Sequence, residues 1–163
     1  MKTKTLVGLI SVAGSHCFAG SAEVSPFTPE SILPAGVDSS ISINPYTGES
    51  GNARKGTVAA TLNNVARLNQ LFLQEETPEQ KNAIVEISNA IDQLIPSLQI
   101  VGMFDLFEPI HWIGEGEQPG RVLALLLYFK HYPEKCTPAL RGRLSVVREK
   151  ISSPYLREQL VAF

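Results

Sequence analysis

The chain has 163 residues, with 14 basic side chains against 16 acidic ones and a formal net charge of −2, so it exerts no overall electrostatic pull on nucleic acid. Hydrophobic residues make up 44% and charged residues 18%, the balance of a folded globular chain rather than a disordered one. The length suits one domain with a real core, and no stretch is long and apolar enough for an ordinary membrane-spanning helix.

Residues 1–22 read as an export signal. Lys2 and Lys4 give a basic start, Thr5 to Phe18 is mostly apolar and small, and cleavage sites follow Ala19 and Ala22. Ser11, Ser15 and His16 interrupt the apolar run, and a buried amino-terminal strand or helix is the competing reading. Export predicts a periplasmic or secreted protein. Removal of the signal takes Cys17 with it and leaves Cys136 without an internal disulfide partner. That thiol is then either buried and inert, the commoner case, or a handle for an intermolecular disulfide. Cys17 follows Gly-Ser-His rather than the Leu-small-small context of a lipid anchor, so lipidation is not expected.

Residues 23–55 are rich in Ser, Pro, Gly, Asn and Thr with no sustained apolar period, and read as an extended arm or linker. Thr28-Pro29-Glu30 opens at most one helical turn before Pro34 and Gly36. Ile41 and Ile43 alternate with serines as a short extended piece lying on the domain, and Asn44-Pro45-Tyr46-Thr47-Gly48 is a turn signature.

Residues 56–163 are helical in pattern. Val58, Leu62, Val65, Leu68 and Phe72 recur at three- and four-residue steps and predict a buried stripe, with Asn63, Asn64, Arg67 and Gln70 on or near the other face. Thr77-Pro78 with Gln80 predicts a capping-box start to a second helix. Its stripe is Ile84, Ile87, Ile91, Leu94 and Leu98, with a kink or restart at Pro96 and a stop at Gly102. The run Val122–Phe129, opened by Pro119-Gly120, is apolar all round and predicts a central, covered helix. Thr137-Pro138 opens a helix with Leu140, Leu144, Val147 and Ile151 inward, and Ser153-Pro154 a last one with Leu156, Leu160 and Phe163 inward. The fold class is therefore all-α, about five helices in a compact bundle with an extended amino-terminal arm.

Between the second and third of these helices, residues 102–121 combine the only tryptophan with glycines, prolines and acids. So many aromatics predict a connection packed down on the domain. Asp105, Glu108 and His111 stand at three-residue spacing, which on one helical turn would place a histidine beside two carboxylates as a general base or metal site. Pro109 interrupts that turn, and the plainer alternative is a connector whose Asp105 and Glu108 cap helix ends. Trp112 and Phe107, rimmed by Glu115 and Glu117, have the chemistry of an interface anchor, although a lone tryptophan is more often core. His131 and Cys136 lack the further ligands that zinc requires, so neither a metal nor a cofactor is expected. Elbow, phosphate-loop, zinc-helix and Cys-x-x-Cys signatures are all missing from the sequence.

Charge is uneven along the chain. Acids dominate from Glu75 to Glu117, and bases, including Arg141, Arg143, Arg148 and Lys150, dominate from Arg121 onward. Either the two halves neutralise each other within the fold, or the basic face meets an acidic partner or anionic lipid. Aromatics that would stack bases do not interleave with those arginines, which disfavours nucleic acid.

The pattern Gly102-Met103-Phe104-Asp105-Leu106-Phe107, Pro109, Trp112 and Pro119-Gly120-Arg121 resembles one found in small uncharacterised bacterial proteins, a domain of unknown function, across roughly residues 56–129. The resemblance implies a compact domain and transfers no activity. The expected function is a non-catalytic, exported binding or adaptor protein acting on a protein partner in the cell envelope. Trp112, Phe107, Glu115, Glu117, Arg141, Arg143 and Arg148 are the candidate contacts. The alternative is a small hydrolase or metal-dependent enzyme using His111 with Asp105 and Glu108, and a third reading has the arm docking onto another protein.

Overall fold

The computed structural model describes residues 25–32 and 39–163, so the expected signal segment with Cys17 lies outside the described residues. The order is α1 (Pro29–Ile32), β1 (Ser39–Ile43), β2 (Ser50–Arg54), α2 (Thr57–Leu71), α3 (Pro78–Ile100), α4 (Met103–Leu106), α5 (Pro109–Ile113), α6 (Pro119–His131), α7 (Pro138–Lys150) and α8 (Pro154–Gln159). The five helical patterns of the sequence are α2, α3, α6, α7 and the short α8. Three further short helices, two 3-10 turns (Pro133–Lys135 and Leu160–Ala162) and one two-stranded hairpin complete the described part of the all-α fold.

Local chemistry starts the helices where the sequence places them. Thr77 accepts from the Gln80 amide at 3.1 Å, Thr137 from Leu140 at 3.4 Å and Ser153 from Leu156 at 3.3 Å, each ahead of a proline at the first turn. The second half of the expected capping box does not form. The Gln80 side chain instead donates to the Leu71 carbonyl at 2.7 Å and caps the carboxy-terminal end of α2. At Pro96 no restart occurs, and α3 runs unbroken to Ile100. Pro96 removes one backbone donor, while Ile91, Ile95 and Leu98 on either side of it are fully buried and hold the helix in place.

Helix α6 is the centre. Val122 to Leu126, Tyr128 and Phe129 are all buried, because α2, α3, α5 and α8 each pack on it. At the α2–α6 crossing a methyl group on Gly120 would stand 2.5 Å from the Val65 carbonyl oxygen. The backbones can meet there only because position 120 has no side chain.

The segment from 39 to 54 is more structured than a linker. β1 and β2 pair antiparallel, with Ser39 opposite Arg54 and Ile43 opposite Ser50. Asn44 closes the turn, its side-chain oxygen accepting from the Tyr46 and Thr47 amides at 2.8 and 3.2 Å. The hairpin contacts the domain through buried Ala53 and through Gly51 against Ile100, while the Ile43 side chain faces solvent. Asn44 also donates to the Gln99 carbonyl at 2.6 Å and to Asp105 at 3.0 Å. Gln99 in turn donates to Glu49 and accepts from the Tyr128 hydroxyl, both at 2.9 Å. Burial, helped by nearby Asp105, pushes the Tyr128 hydroxyl well above the ordinary tyrosine range.

Residues 25–32 dock on the chain's own α2. Asn64 accepts from the Phe27 amide at 2.7 Å and donates to the Phe27 carbonyl at 2.8 Å, and Arg67 lies over the Phe27 ring, 4.7 Å from its centroid. Asn64, expected on or near the outer face, is therefore fully buried. Leu62, expected in the core stripe, is 44% exposed. The buried face of α2 has turned towards Ala60, Thr61, Asn64 and Leu68, because the docked segment and α6 cover that side.

Candidate functional site

The connector between α3 and α6 folds as two short helices separated at Phe107, whose φ of −105° and ψ of 87° leave the helical region. Pro109 then starts α5 with its own fixed φ. Asp105, Glu108 and His111 therefore do not share one helical face. Asp105 turns to Asn44 of the hairpin, and His111 of α5 meets Glu108, the residue ahead of that helix, with Nδ1 at 3.8 Å from the carboxylate, both exposed. A three-residue acid–base cluster is not assembled. Among the described residues, no three His, Cys, Asp or Glu side chains gather to hold a metal ion.

What the connector does build is a groove of about 330 Å³ between α2, α4–α5 and α6. Phe107 and Trp112 line it with Leu62 of α2 and Leu106 of α4, and Glu108, His111 and Arg121 supply its polar groups. Volumes of this order suit a small ligand or a few side chains of a partner. Trp112 is only 7% exposed and packs edge-on against Phe104 with centroids 5.6 Å apart, so most of it is core. Phe107 and Leu106, at 45% and 61% exposure, carry the accessible apolar surface. The Arg121 guanidinium lies over the Trp112 ring, 5.9 Å from its centroid. Sequence reasoning singled out Phe107, Trp112, Glu108 and His111 but assigned neither Leu62 nor Arg121 to a site. Arg121 beside Pro119-Gly120 was the one available signal.

The remaining candidate contacts gather elsewhere. Glu115 pairs with both Arg143 and Lys150 of α7, and Arg143 also donates to the Gly114 carbonyl at 2.8 Å. Glu117 accepts from the Glu115 amide at 3.0 Å. Lys150 and Arg143 together hold the Glu115 carboxyl down to about 2. The acidic connector thus neutralises part of the basic helix inside the fold. Arg141 reaches the Phe163 carbonyl at 3.5 Å and Arg148 is half-buried on α7, so neither stands beside the groove residues. His131 pairs with Asp92 of α3 at 3.1 Å rather than with Cys136. Cys136 is buried and burial raises its thiol above the ordinary range, the inert state of a packed cysteine. An intermolecular disulfide through Cys136 would require that packing to open.

Fold and groove together define a small helical domain with an aromatic recess on one face. The chain belongs to the family described as a domain of unknown function (DUF7709), whose model matches residues 46–132, from the hairpin turn to the end of α6. No curated protein and no solved structure matches it. The matched span holds every residue that lines the groove.

Proposed function

We propose that this protein is a non-catalytic binding module, exported to the cell envelope, which engages a protein partner through the groove lined by Phe107, Leu106 and Leu62. The observation that carries the reading is the exposure of these three large apolar side chains around one recess with a tryptophan at its wall. Apolar groups gathered on one face are costly to hydrate and are a common mark of interfaces. Export is supported by the basic start at Lys2 and Lys4, the apolar run to Phe18 and the small residues Ala19 and Ala22. Among the described residues no helix is long and apolar enough to cross a membrane.

A photo-crosslinking residue in place of Phe107, expressed in the native host, tests the binding reading. A discrete adduct at position 107 that is absent at Leu73, an exposed residue outside the groove, is the expected result. Equal labelling at both positions, or none at either, would refute it. The mass of the protein recovered from the envelope tests export, with loss of residues 1–19 or 1–22 expected.

A further inference from the structure

Resting on that reading, we infer that the partner presents an amphipathic helix to the groove, with an Asp or Glu side chain seated on Arg121. The recess is bordered by α2, α6 and the α4–α5 connector, and none of its lining residues belongs to β1 or β2. The groove therefore offers side-chain contacts and no free strand edge, which selects helix-in-groove docking over strand addition. Leu62, Leu106 and Phe107 provide its apolar surface. Such a patch fits apolar side chains one helical turn apart on the incoming helix.

The charge follows from an asymmetry among the three polar groups of the groove. Glu108, the residue ahead of α5, faces His111 at 3.8 Å and pairs with it when that histidine is protonated. Arg121 is half-buried against Trp112 and has no ion-pair partner among the described residues. A guanidinium held over an aromatic ring has its side chain ordered in advance and keeps its in-plane donors directed outward, the geometry that takes a carboxylate in a bidentate pair. A partner cation at the same place would meet like charge.

The test uses the whole protein and a phage library of 16-residue helix-forming peptides with five randomised positions on one face. Peptides selected on the native protein are expected to carry an acid one turn from an apolar pair, and Phe107→Asp is expected to abolish their binding. Arg121→Glu should weaken the best peptide at least tenfold, and changing the peptide's acid to Lys should restore binding to that variant. Circular dichroism confirms that the variant is folded, and Arg121→Gln serves in its place if it is not. Selected peptides that need Phe107 but ignore charge at position 121 would overturn the inference and leave the groove reading standing. Failure to select any peptide, or peptides indifferent to Phe107→Asp, would overturn both. Decanoate, which offers the same head and tail without a peptide, is the rival occupant, and tighter binding of decanoate than of any selected peptide would also overturn the inference.

Discussion

The side-chain amide of Asn64 closes a two-bond ring with the main chain of Phe27, taking its N–H at 2.7 Å and giving to its carbonyl at 2.8 Å. A side chain here does what a neighbouring strand would do, and it fastens residues 25–32 to a helix 37 positions further along the chain. Asn64→Ala removes both bonds at a buried site, and the expected loss is about 1–3 kcal/mol. Asn64→Asp should be no better, because a carboxylate would face the Phe27 carbonyl with no donor. Urea unfolding midpoints measure the loss, and faster proteolysis within residues 25–32 of both variants would locate it.

Gly120 and Gly142 make an opposed pair. A methyl group at position 120 would lie 2.5 Å from the Val65 carbonyl oxygen, whereas one at 142 meets nothing within 4 Å. Gly120→Ala should therefore push α6 away from α2 and cost about 1–3 kcal/mol or more. Gly142→Ala, in the exposed interior of α7, should instead stabilise by about 0.5–1 kcal/mol. Thermal midpoints moving in the same direction for both would contradict the close approach.

Tyr128→Phe leaves the buried side-chain oxygen of Gln99, Oε1, without its 2.9 Å donor, and a loss of about 1–3 kcal/mol is expected. The pH dependence has a definite sign. The folded hydroxyl has its pKa raised above the ordinary value of 10.0, so the unfolded chain releases that proton first. Stability should fall as pH rises through about 10, and less steeply in Tyr128→Phe. Absorbance titration at high pH should show this tyrosine ionising only as the protein unfolds.

At the acid end the sign reverses. Lys150 and Arg143 lower the Glu115 carboxyl from 4.5 to about 2, so its contribution is present above pH 4.5 and lost as pH falls towards 2. Thermal midpoints should drop across that window, and Glu115→Gln should flatten the drop. The pair is solvent-exposed, so the difference should be small and should shrink further in high salt.

Helix starts were legible in the sequence because capping is local. Thr77, Thr137 and Ser153 each bond to a residue three positions on, and periodicity did the rest for Ile84, Ile87 and Leu144. Periodicity identified an apolar stripe on α2 but could not say which edge the docked segment would cover, so Leu62 and Asn64 exchanged their expected places. In the site, Phe107 and Trp112 stood out by residue type and by the turn formers around them. Asp105 misled because its partner, Asn44, is 61 residues away, and spacing along a helix says nothing of such a bond. Arg121 was invisible as a groove residue until α5 and α6 were seen side by side.

The apolar run Val122–Phe129 of α6 has to be covered from every side, and that limits which parts of the fold can be spared. α6 is sealed only when α8 lies on it, and Phe163 stands 6.2 Å from Phe129, centroid to centroid. A chain without residues 154–163 would leave that flank of α6 bare and prone to stick to other apolar surfaces.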